Sequence, residues 1–417
     1  MSVIAASRQS TPSPKGRDPR IAGIGCTEFY RRGRSPLSPY GLALTAIINA
    51  ADDAGIDVKE IDGLVSHSGE PFTTSAIVDG LGLSRFSYGS QPLDLTAGGA
   101  PFAVQLAADA VEQGRADVVV VYKALRMGAA DRFGRPGGHV VDNRDERIGS
   151  GKTVRHEHVY VRSLAGAFSA PYGASVAAQH WALHAQRHMY QYGTTSRQFG
   201  MVAKTFRDHA ARNPRALYRT TFTIDEHQSS RMISTPLRLL DCCMESDSAI
   251  AFLVTTADRA RSCKTRPVRI LSSAYGTDVG MTQIHGWSEY PTSNLRSIRE
   301  RLWGQAGVGP KDVDTAQIYD HFSSGVIMAL EDLGFCPIGE GGPFVATGAI
   351  AWPDGELPTN TSGGMLSEVY CVDMNLLAEG IRQIRGESTS QVPGAEVALV
   401  TGGGAACPNG AILLAPD

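Results

Sequence analysis

The sequence predicts an α/β fold made of two similar halves, and three observations carry this prediction. First, the segment AGIDVKEIDGLVSHS at 54–68 recurs as AGVGPKDVDTAQIYD at 306–320, an offset of 252 residues (306 minus 54). Second, each copy follows a helical stretch and leads into an apolar strand. Third, the chain has 417 residues, 42% of them hydrophobic, which suffices for two or three core-forming units. Alternating strands and helices indicate βαβ units with helices on both faces of a mixed or parallel sheet.

The elements follow in the same order in the two halves. Each half begins with an apolar strand, RIAGIG at 20–25 and VRILSSAYG at 268–276. The helical stretches LALTAIINAADDAG and SIRERLWGQAG come next and run into the repeated segment. A second helix and strand then follow, AADAVEQGRADVVVVY in the first half and LLAEGIRQIRG with GAEVALVTGG in the second. Several elements in one order indicate a duplicated pattern rather than chance similarity.

These landmarks predict the domain boundaries. Residues 1–19 are rich in Ser, Pro and Arg and lack an apolar stretch, so we expect a disordered tail and not a signal peptide. The N-terminal half spans 20–265, and the C-terminal half spans 266–417. A longer insertion at about 125–235 belongs to the first half, and we expect it to shape a pocket.

Composition and charge exclude several classes of function. The formal net charge of −3 provides no electrostatic basis for binding nucleic acid or a membrane surface. No apolar run reaches the roughly 18 residues that a membrane-spanning helix needs. The seven cysteines form no CxxC pair, which favours reduced thiols in the cytoplasm over a disulfide framework or a zinc ribbon in this chain.

One helix of the insertion carries histidines at a spacing that metal ligands can use. In ASVAAQHWALHAQRHMYQYG, the side chains of His180, His184 and His188 share one face because they are four residues apart. No glutamate completes an HExxH motif, so we expect a packed or solvated helix face and no metal bound by this chain.

Several motifs, in one order, resemble those of the thiolase superfamily, and most closely its sterol-carrier-protein type. They are TPLRLLDCCMESDSAIAFLVTTADRAR at 235–261, LPTNTSGG at 357–364 and TGGG at 401–404. The resemblance covers about 20–417. It implies a thiolase fold, in which duplicated βαβ halves form a five-layered αβαβα sandwich with an inserted loop domain. It also implies a dimer and CoA thioesters as substrates.

The chemical positions of a degradative thiolase are changed in this chain. The family's nucleophile is a cysteine at the N-terminus of a buried helix, whose dipole stabilises the thiolate. Thr96, or Ala97 if the alignment shifts by one residue, stands at that position, and no cysteine occurs at 27–241. Tyr319 of YDHF replaces the Asn or His that helps to polarise the thioester oxygen. Tyr370 replaces the catalytic histidine, and Val400 replaces the acid–base cysteine before the triple glycine.

A tyrosine at both histidine-type positions resembles the thiolase-like aldolases that cleave steroid side chains. Those enzymes split a β-hydroxyacyl-CoA into a ketone and a short acyl-CoA by a retro-aldol reaction, without a covalent cysteine intermediate. They work with a small zinc-ribbon/OB-fold partner. The resemblance implies catalytic roles for Tyr319 and Tyr370. We expect Tyr370 to take the hydroxyl proton and Tyr319 to act as oxyanion donor or Cα acid, with the two roles interchangeable at this stage.

Further candidates surround the two tyrosines. Glycine-rich turns let backbone N–H groups approach a ligand and bind an oxyanion, although packing turns are the alternative. The glycines concerned are Gly363, Gly364, Gly402 and Gly403. His321 and Asp320 are secondary catalytic candidates, with a structural turn as the alternative for Asp320. His67 aligns with Tyr319 under the 252-residue offset, and we assign it no catalytic role.

Two other functions stay open at this stage. One is another CoA-ester reaction on the same scaffold, such as acyl transfer or a Claisen-type reaction. The other is a catalytically inactive lipid-CoA binding subunit, although an inactive site would tolerate residues without a hydroxyl. We expect an acyl-CoA substrate, no cofactor in this chain, zinc only in the partner subunit, a homodimeric core and a cytoplasmic location. We expect no nucleic-acid binding and no membrane insertion.

Overall fold

The structure is a computed structural model that describes residues 17–67, 69–92, 99–127, 170–174, 176–277, 291–403 and 408–417. Thr96, residues 1–16 of the predicted tail and the 128–169 part of the predicted insertion lie outside these ranges. Within the described ranges, no helix combines the length and the apolar character that crossing a bilayer requires.

Strands and helices alternate through most of the described chain. The strands are β1 (Pro19–Cys26), β2 (Tyr30–Arg31), β3 (Gly63–Ser66), β4 (Tyr88–Ser90), β5 (Val118–Leu125), β6 (Met232–Ser234), β7 (Leu237–Arg238), β8 (Ser246–Thr256), β9 (Val268–Gly276), β10 (Thr315–Gln317), β11 (Ala398–Gly402) and β12 (Asn409–Pro416). The α-helices are α1 (Pro39–Ala54), α2 (Thr74–Leu81), α3 (Gly99–Glu112), α4 (Ala177–Tyr192), α5 (Ser196–Ala210), α6 (Ile224–Ser229), α7 (Ala257–Ala260), α8 (Arg296–Ala306), α9 (Ser323–Leu333), α10 (Gly341–Ala346), α11 (Gly364–Ser367) and α12 (Met374–Arg385).

One continuous sheet contains both halves, and each half has the same strand order. Across the sheet the order is β10-β11-β12-β9-β1-β8-β5-β3-β4, with β2 attached to β8. The strands β3 and β5 are parallel, as are β10 and β11. The pairs β5–β8, β8–β1, β11–β12 and β12–β9 are antiparallel. The order β3-β5-β8-β1 in the first half therefore matches β10-β11-β12-β9 in the second. A short antiparallel pairing of β1 with β9 joins them.

Local signals place the equivalent helices of the two halves. The helix α1 begins after Ser38, whose side chain accepts a hydrogen bond from the Gly41 amide, and Pro39 occupies its first turn. It ends at Gly55, whose φ of 71° is a left-handed conformation that glycine adopts without strain. The helix α8 ends in the same way at Gly307, with a φ of 69°. The 252-residue offset thus relates helix ends as well as strands.

Side chains on the two faces of the sheet belong to three different hydrophobic cores. Helices pack against both faces, which gives five layers. In β5, Val119 and Val121 face a central core, whereas Val118 and Val120 face an outer one. The central core also contains residues of α3 and α12, one helix from each half. The helices α1 and α2 cover the first half, while α8 and α9 cover the second. The predicted αβαβα sandwich of the thiolase fold is confirmed.

The described part of the predicted insertion packs on the second half. Apolar residues of α4 and α5, including Trp181 and Phe206, share a core with α9. His188 forms hydrogen bonds through Nδ1 with the Thr194 hydroxyl (2.8 Å) and through Nε2 with Glu331 of α9 (3.0 Å). The histidine face of α4 is therefore packed, and the described residues contain no group of three or more side chains that could hold a metal ion.

Candidate active site

Tyr319 lies two residues after the end of β10. Its amide donates to the hydroxyl of Thr401 on β11 at 2.9 Å. The side chain of Asn360 holds the preceding residue, because it accepts from the Ile318 amide at 2.7 Å and donates to the Ile318 carbonyl at 2.8 Å. The Tyr319 side chain is 7% exposed. These contacts fix the backbone that carries the buried phenol.

Tyr370 lies in the loop between α11 and α12. Ser246, the first residue of β8, binds its backbone twice: the Tyr370 amide donates to the Ser246 hydroxyl, and that hydroxyl donates to the Tyr370 carbonyl, each at 2.9 Å. Two residues later, Val372 has a φ of 59°, a left-handed conformation that strains a β-branched residue. Such strain persists only where the surroundings hold the backbone, so the loop has an imposed conformation.

The two tyrosine side chains meet in the interior. A side-chain hydrogen bond links Tyr319 with Tyr370. Burial raises the pKa of Tyr319 well above its ordinary value, and the neighbouring Tyr370, Asp373 and Cys243 raise it further. Tyr319 is therefore a neutral phenol that can donate a hydrogen bond. Tyr370 is half-buried and is the more open member of the pair.

His321 lies beside Tyr319 in the wall of a pocket. The centroid of its ring is 4.8 Å from that of Tyr319 and 4.4 Å from that of Trp181. Gly403 also lines this pocket, which is partly open to solvent. Burial, with a smaller contribution from His184, lowers the pKa of His321 to about 3. The imidazole is neutral near pH 7, so it can donate a hydrogen bond but is a weak base.

Asp320 caps the N-terminus of α11. Its Oδ1 accepts from the Met365 amide at 2.9 Å, and its Oδ2 accepts from the Leu366 amide at 3.1 Å. Burial raises the pKa of this carboxyl to about 7. Gly364 has a φ of 59°, and a Cβ there would lie 2.2 Å from Asp320 Oδ2, so glycine is required. These contacts correspond to the structural turn that was the alternative for Asp320.

The amides of the glycine-rich turns bond to the protein itself. The Gly363 amide donates to the Asn360 carbonyl at 2.8 Å, and the Gly403 amide donates to Asp373 Oδ2 at 3.1 Å. Gly402 is paired within the sheet. In the structure the turns hold the loops of the site together, and an oxyanion-binding role for these glycines stays a prediction.

Two residues without a predicted role, His67 and Asp373, complete the site. The buried Asp373 accepts hydrogen bonds at Oδ1 from His67 Nε2 (2.8 Å) and from the Ala100 amide at the start of α3 (3.0 Å). The repeat pointed to His67, because it aligns with Tyr319 at the ends of equivalent strands. The sequence carried no signal for Asp373. The structure thus adds a buried His–Asp pair beside the two tyrosines.

Comparisons with known proteins identify the family. The thiolase C-terminal domain-like family matches residues 276–415. The chain is 40% identical over 398 residues to a 17-hydroxy-3-oxo-4-pregnene-20-carboxyl-CoA lyase of Mycobacterium tuberculosis, which covers 94% of this chain and 98% of the relative. It is 37% identical over 405 residues to a steroid side-chain-cleaving aldolase of Thermomonospora curvata, covering 95% and 97%. The solved structure of the Ltp2-ChsH2(DUF35) aldolase matches with a TM-score of 0.84 and 36% identity, over 96% of this chain and 98% of that one. The chain therefore belongs to the thiolase-like family of steroid side-chain-cleaving aldolases.

Proposed function

We propose that this chain cleaves a β-hydroxyacyl-CoA thioester, in which the acyl group is a steroid side chain, into a ketone and a short acyl-CoA by a retro-aldol reaction. The observation that carries the proposal is the hydrogen-bonded pair of Tyr319 and Tyr370. A degradative thiolase has Asn or His at the position of Tyr319 and the catalytic histidine at the position of Tyr370. The names of the two relatives, a pregnene-carboxyl-CoA lyase and a steroid side-chain-cleaving aldolase, support the substrate class.

A relay through the tyrosine pair balances the protons of this reaction. The Tyr370 oxygen takes the β-hydroxyl proton while its own proton passes to the Tyr319 oxygen, and Tyr319 gives its proton to Cα. The Cα–Cβ bond breaks, and its electron pair enters the thioester enolate and then the new Cα–H bond. Ionising a tyrosine beforehand would cost about 4 kcal/mol at pH 7, which the relay avoids. The reaction consumes no free CoA and no redox partner, so this chain needs no cofactor of its own.

His321 is proposed to stabilise the enolate oxygen. Its Nδ1 is buried and has no hydrogen-bond partner among the described residues. A neutral imidazole beside Tyr319 can donate to an oxygen that becomes negative only in the transition state, which is the kind of interaction that accelerates a reaction. Asp320, which binds the amides of α11, supports the turn on which this part of the site rests.

Turnover of a β-hydroxyacyl-CoA, followed by chromatography of both products, tests the proposal. Tyr370→Phe and Tyr319→Phe are each expected to lower kcat by at least about 100-fold, a common loss when an acid–base group is removed. Tyr40→Phe is the matched control, because it removes a hydroxyl that donates to the Ala76 carbonyl at 2.8 Å in the first half. Near-parent turnover by a folded Tyr370→Phe protein contradicts the relay.

The same preparation separates the alternative functions. An acyl-transfer or Claisen-type enzyme would act on a β-ketoacyl-CoA and consume free CoA. An inactive binding subunit would bind acyl-CoA and convert neither substrate, even with a partner present. Cleavage of the β-hydroxyacyl-CoA without consumption of free CoA supports the retro-aldol reaction against both.

We also propose that the active unit combines a homodimeric core with a small zinc-ribbon/OB-fold subunit, which holds the zinc, in the cytoplasm. The similar solved structure is named as a two-component aldolase, Ltp2-ChsH2(DUF35), which supports a partner. The six described cysteines are free thiols, as expected in a reducing compartment. Gel filtration and turnover of the chain with and without a co-expressed zinc-ribbon subunit test this. Full activity of the isolated chain would contradict a dependence on the partner.

A further inference from the structure

We propose that Asp373 is a positioning residue for this reaction: its carboxylate is the fixed negative charge of the site and assigns the proton-donor role to Tyr319. The inference rests on the proposed function, because it divides the work within the same tyrosine pair. It also goes further, since the proposed relay gives the roles of Tyr319 and Tyr370 but does not name the group that sets its direction.

Asp373 connects three loops that surround the tyrosines. Its Oδ1 accepts from His67 Nε2, at the end of β3 (2.8 Å), and from the Ala100 amide in the first turn of α3 (3.0 Å). Its Oδ2 accepts from the Gly403 amide, after β11 (3.1 Å). The side chain is fully buried. Three donors and the positive end of a 14-residue helix compensate the negative charge, which an isolated buried carboxylate could not keep.

The backbone around Asp373 is built for this carboxylate. Gly99, the first residue of α3, has a φ of 59°, and a Cβ there would lie 1.6 Å from Asp373 Oδ2. Val372, directly before Asp373, adopts its strained left-handed conformation with a φ of 59°. Gly99 leaves room for the carboxylate because it has no side chain. The left-handed backbone at Val372 places Asp373 at the N-terminus of α3. Strain of this kind is retained where it serves the site.

The groups behind Asp373 leave its charge in place. His67 Nδ1 is buried and has no hydrogen-bond partner within the described ranges, which suits a neutral imidazole with its proton on Nε2. Beyond it lies a buried ion pair, with Lys123 Nζ 3.1 Å from Glu70 Oε1. One positive and one negative group together add little net charge. Asp373 therefore remains a net negative charge beside the tyrosines.

The charge of Asp373 separates the two tyrosines in function. The described groups that face Tyr319 are Tyr370, Asp373, Cys243 and His321. Burial keeps the Cys243 thiol and the His321 imidazole neutral near pH 7. Asp373 is thus the charged one of these groups, and a negative charge opposes loss of the Tyr319 proton. Tyr319 serves as the acid, and the more open Tyr370 accepts the β-hydroxyl proton.

Asp373→Asn tests the inference in the full chain with its partner subunit. The variant keeps the shape of the side chain and removes the charge, so Tyr319 is expected to lose its proton at a lower pH than in the parent. The alkaline limb of the kcat profile should move by the same amount. Ultraviolet absorbance of tyrosinate measures this ionisation without any turnover. The tyrosine ionisation that moves to lower pH in Asp373→Asn should be absent from the Asp373→Asn/Tyr319→Phe double variant, because that variant lacks the Tyr319 hydroxyl.

Asp241→Asn is the matched control. Asp241 is also buried, and its Oδ1 accepts from His227 Nε2 at 2.9 Å and from the Ser323 hydroxyl at 2.6 Å. Asp241 thus forms a buried pair with His227, as Asp373 does with His67, and it connects the insertion to α9 through Ser323. Its loss is expected to lower stability and to leave the alkaline limb at the parent pH. An Asp373→Asn protein that folds and shows the parent's tyrosine titration overturns the inference.

Two variants of His67 decide the matter if Asp373→Asn fails to fold. Gln can donate a hydrogen bond to Asp373 Oδ1, so His67→Gln is expected to keep a higher kcat than a variant that cannot donate. Leu cannot, so His67→Leu is expected to lower kcat by at least about tenfold, as when a hydrogen bond to a charged group is lost. Equal kcat in the two folded variants overturns the inference. If the parent cleaves no β-hydroxyacyl-CoA, the proposed function fails, while the tyrosine titration still tests Asp373.

Discussion

The turn that supports Tyr319 depends on a neutral buried histidine, and this predicts sensitivity to acid. His209 binds the first residue of the NTSGG turn: its Nδ1 donates to the Asn360 carbonyl at 3.2 Å, and its Nε2 accepts from the Trp352 amide at 2.9 Å. The neutral ring uses both nitrogens. Burial lowers the pKa of His209 to about 4. A proton on Nε2 would break the bond with Trp352 and place an uncompensated charge in the core.

The sign and size of the effect follow from proton binding. Unfolded His209 has a pKa of 6.5 and binds a proton more readily than the folded form, so stability falls as the pH drops below 6.5 and continues to fall to about 4. At pH 5 the unfolded histidine is almost fully protonated and the folded one is not. The free energy of unfolding is therefore lower by about 2 kcal/mol than at neutral pH, and at pH 4 it is lower by about 3 kcal/mol.

Urea unfolding near pH 7.5 and near pH 5 measures the effect in the parent and in His209→Gln. Glutamine does not titrate, so the parent is expected to lose about 2 kcal/mol more than the variant between the two conditions. Other titrating groups, such as His321, occur in both proteins, and the difference between the two losses removes their contribution. The same loss in parent and variant would refute the reasoning, because protonation of His209 would then not oppose folding.

The remaining predictions concern the turn and the thiols. Gly364→Ala is expected to lower the thermal unfolding midpoint and turnover, because its Cβ would lie 2.2 Å from Asp320 Oδ2; Gly348→Ala, with a φ of 85° and no atom within 4 Å, meets only backbone strain of about 1–2 kcal/mol and is the control. A smaller fall for Gly364→Ala than for Gly348→Ala would contradict this steric argument. Iodoacetamide is expected to leave cleavage intact, because burial raises the pKa of Cys243 and Cys371 and no proposed step uses a thiolate. Rapid inactivation by the reagent would indicate a catalytic thiol.

Much of the fold was predictable because its determinants are local. The left-handed glycines that end α1 and α8, Gly55 and Gly307, stand 252 residues apart, and so do the strands that follow them. Helix caps and strand patterns depend on only a few neighbouring residues, so they can be recognised in the sequence of each half. The five layers required the family resemblance, because no local pattern states which side of a strand faces the other half.

The site was predictable only where it coincides with a family position. Tyr319 and Tyr370 stand at such positions and proved to be hydrogen-bonded. Asp373 stands at none of the family positions identified in the sequence, and its partner His67 is 306 residues away in the chain. The hydroxyl of Ser246, which holds the Tyr370 backbone, is 124 residues away. Contacts of this range arise from packing of the layers, so no spacing in the sequence indicates them.

The N-terminus of α3 explains why a non-covalent reaction suits this scaffold. In a degradative thiolase, the positive end of this helix stabilises the thiolate that attacks the substrate. In this chain the Asp373 carboxylate accepts the Ala100 amide in the first turn of α3. A permanent anion at the helix end uses the stabilisation that a thiolate would need, and it repels a second negative charge. A thiolate at the N-terminus of α3 would therefore meet an anion where it requires a donor. The proposed reaction needs no thiolate, because its protons move through the tyrosine pair.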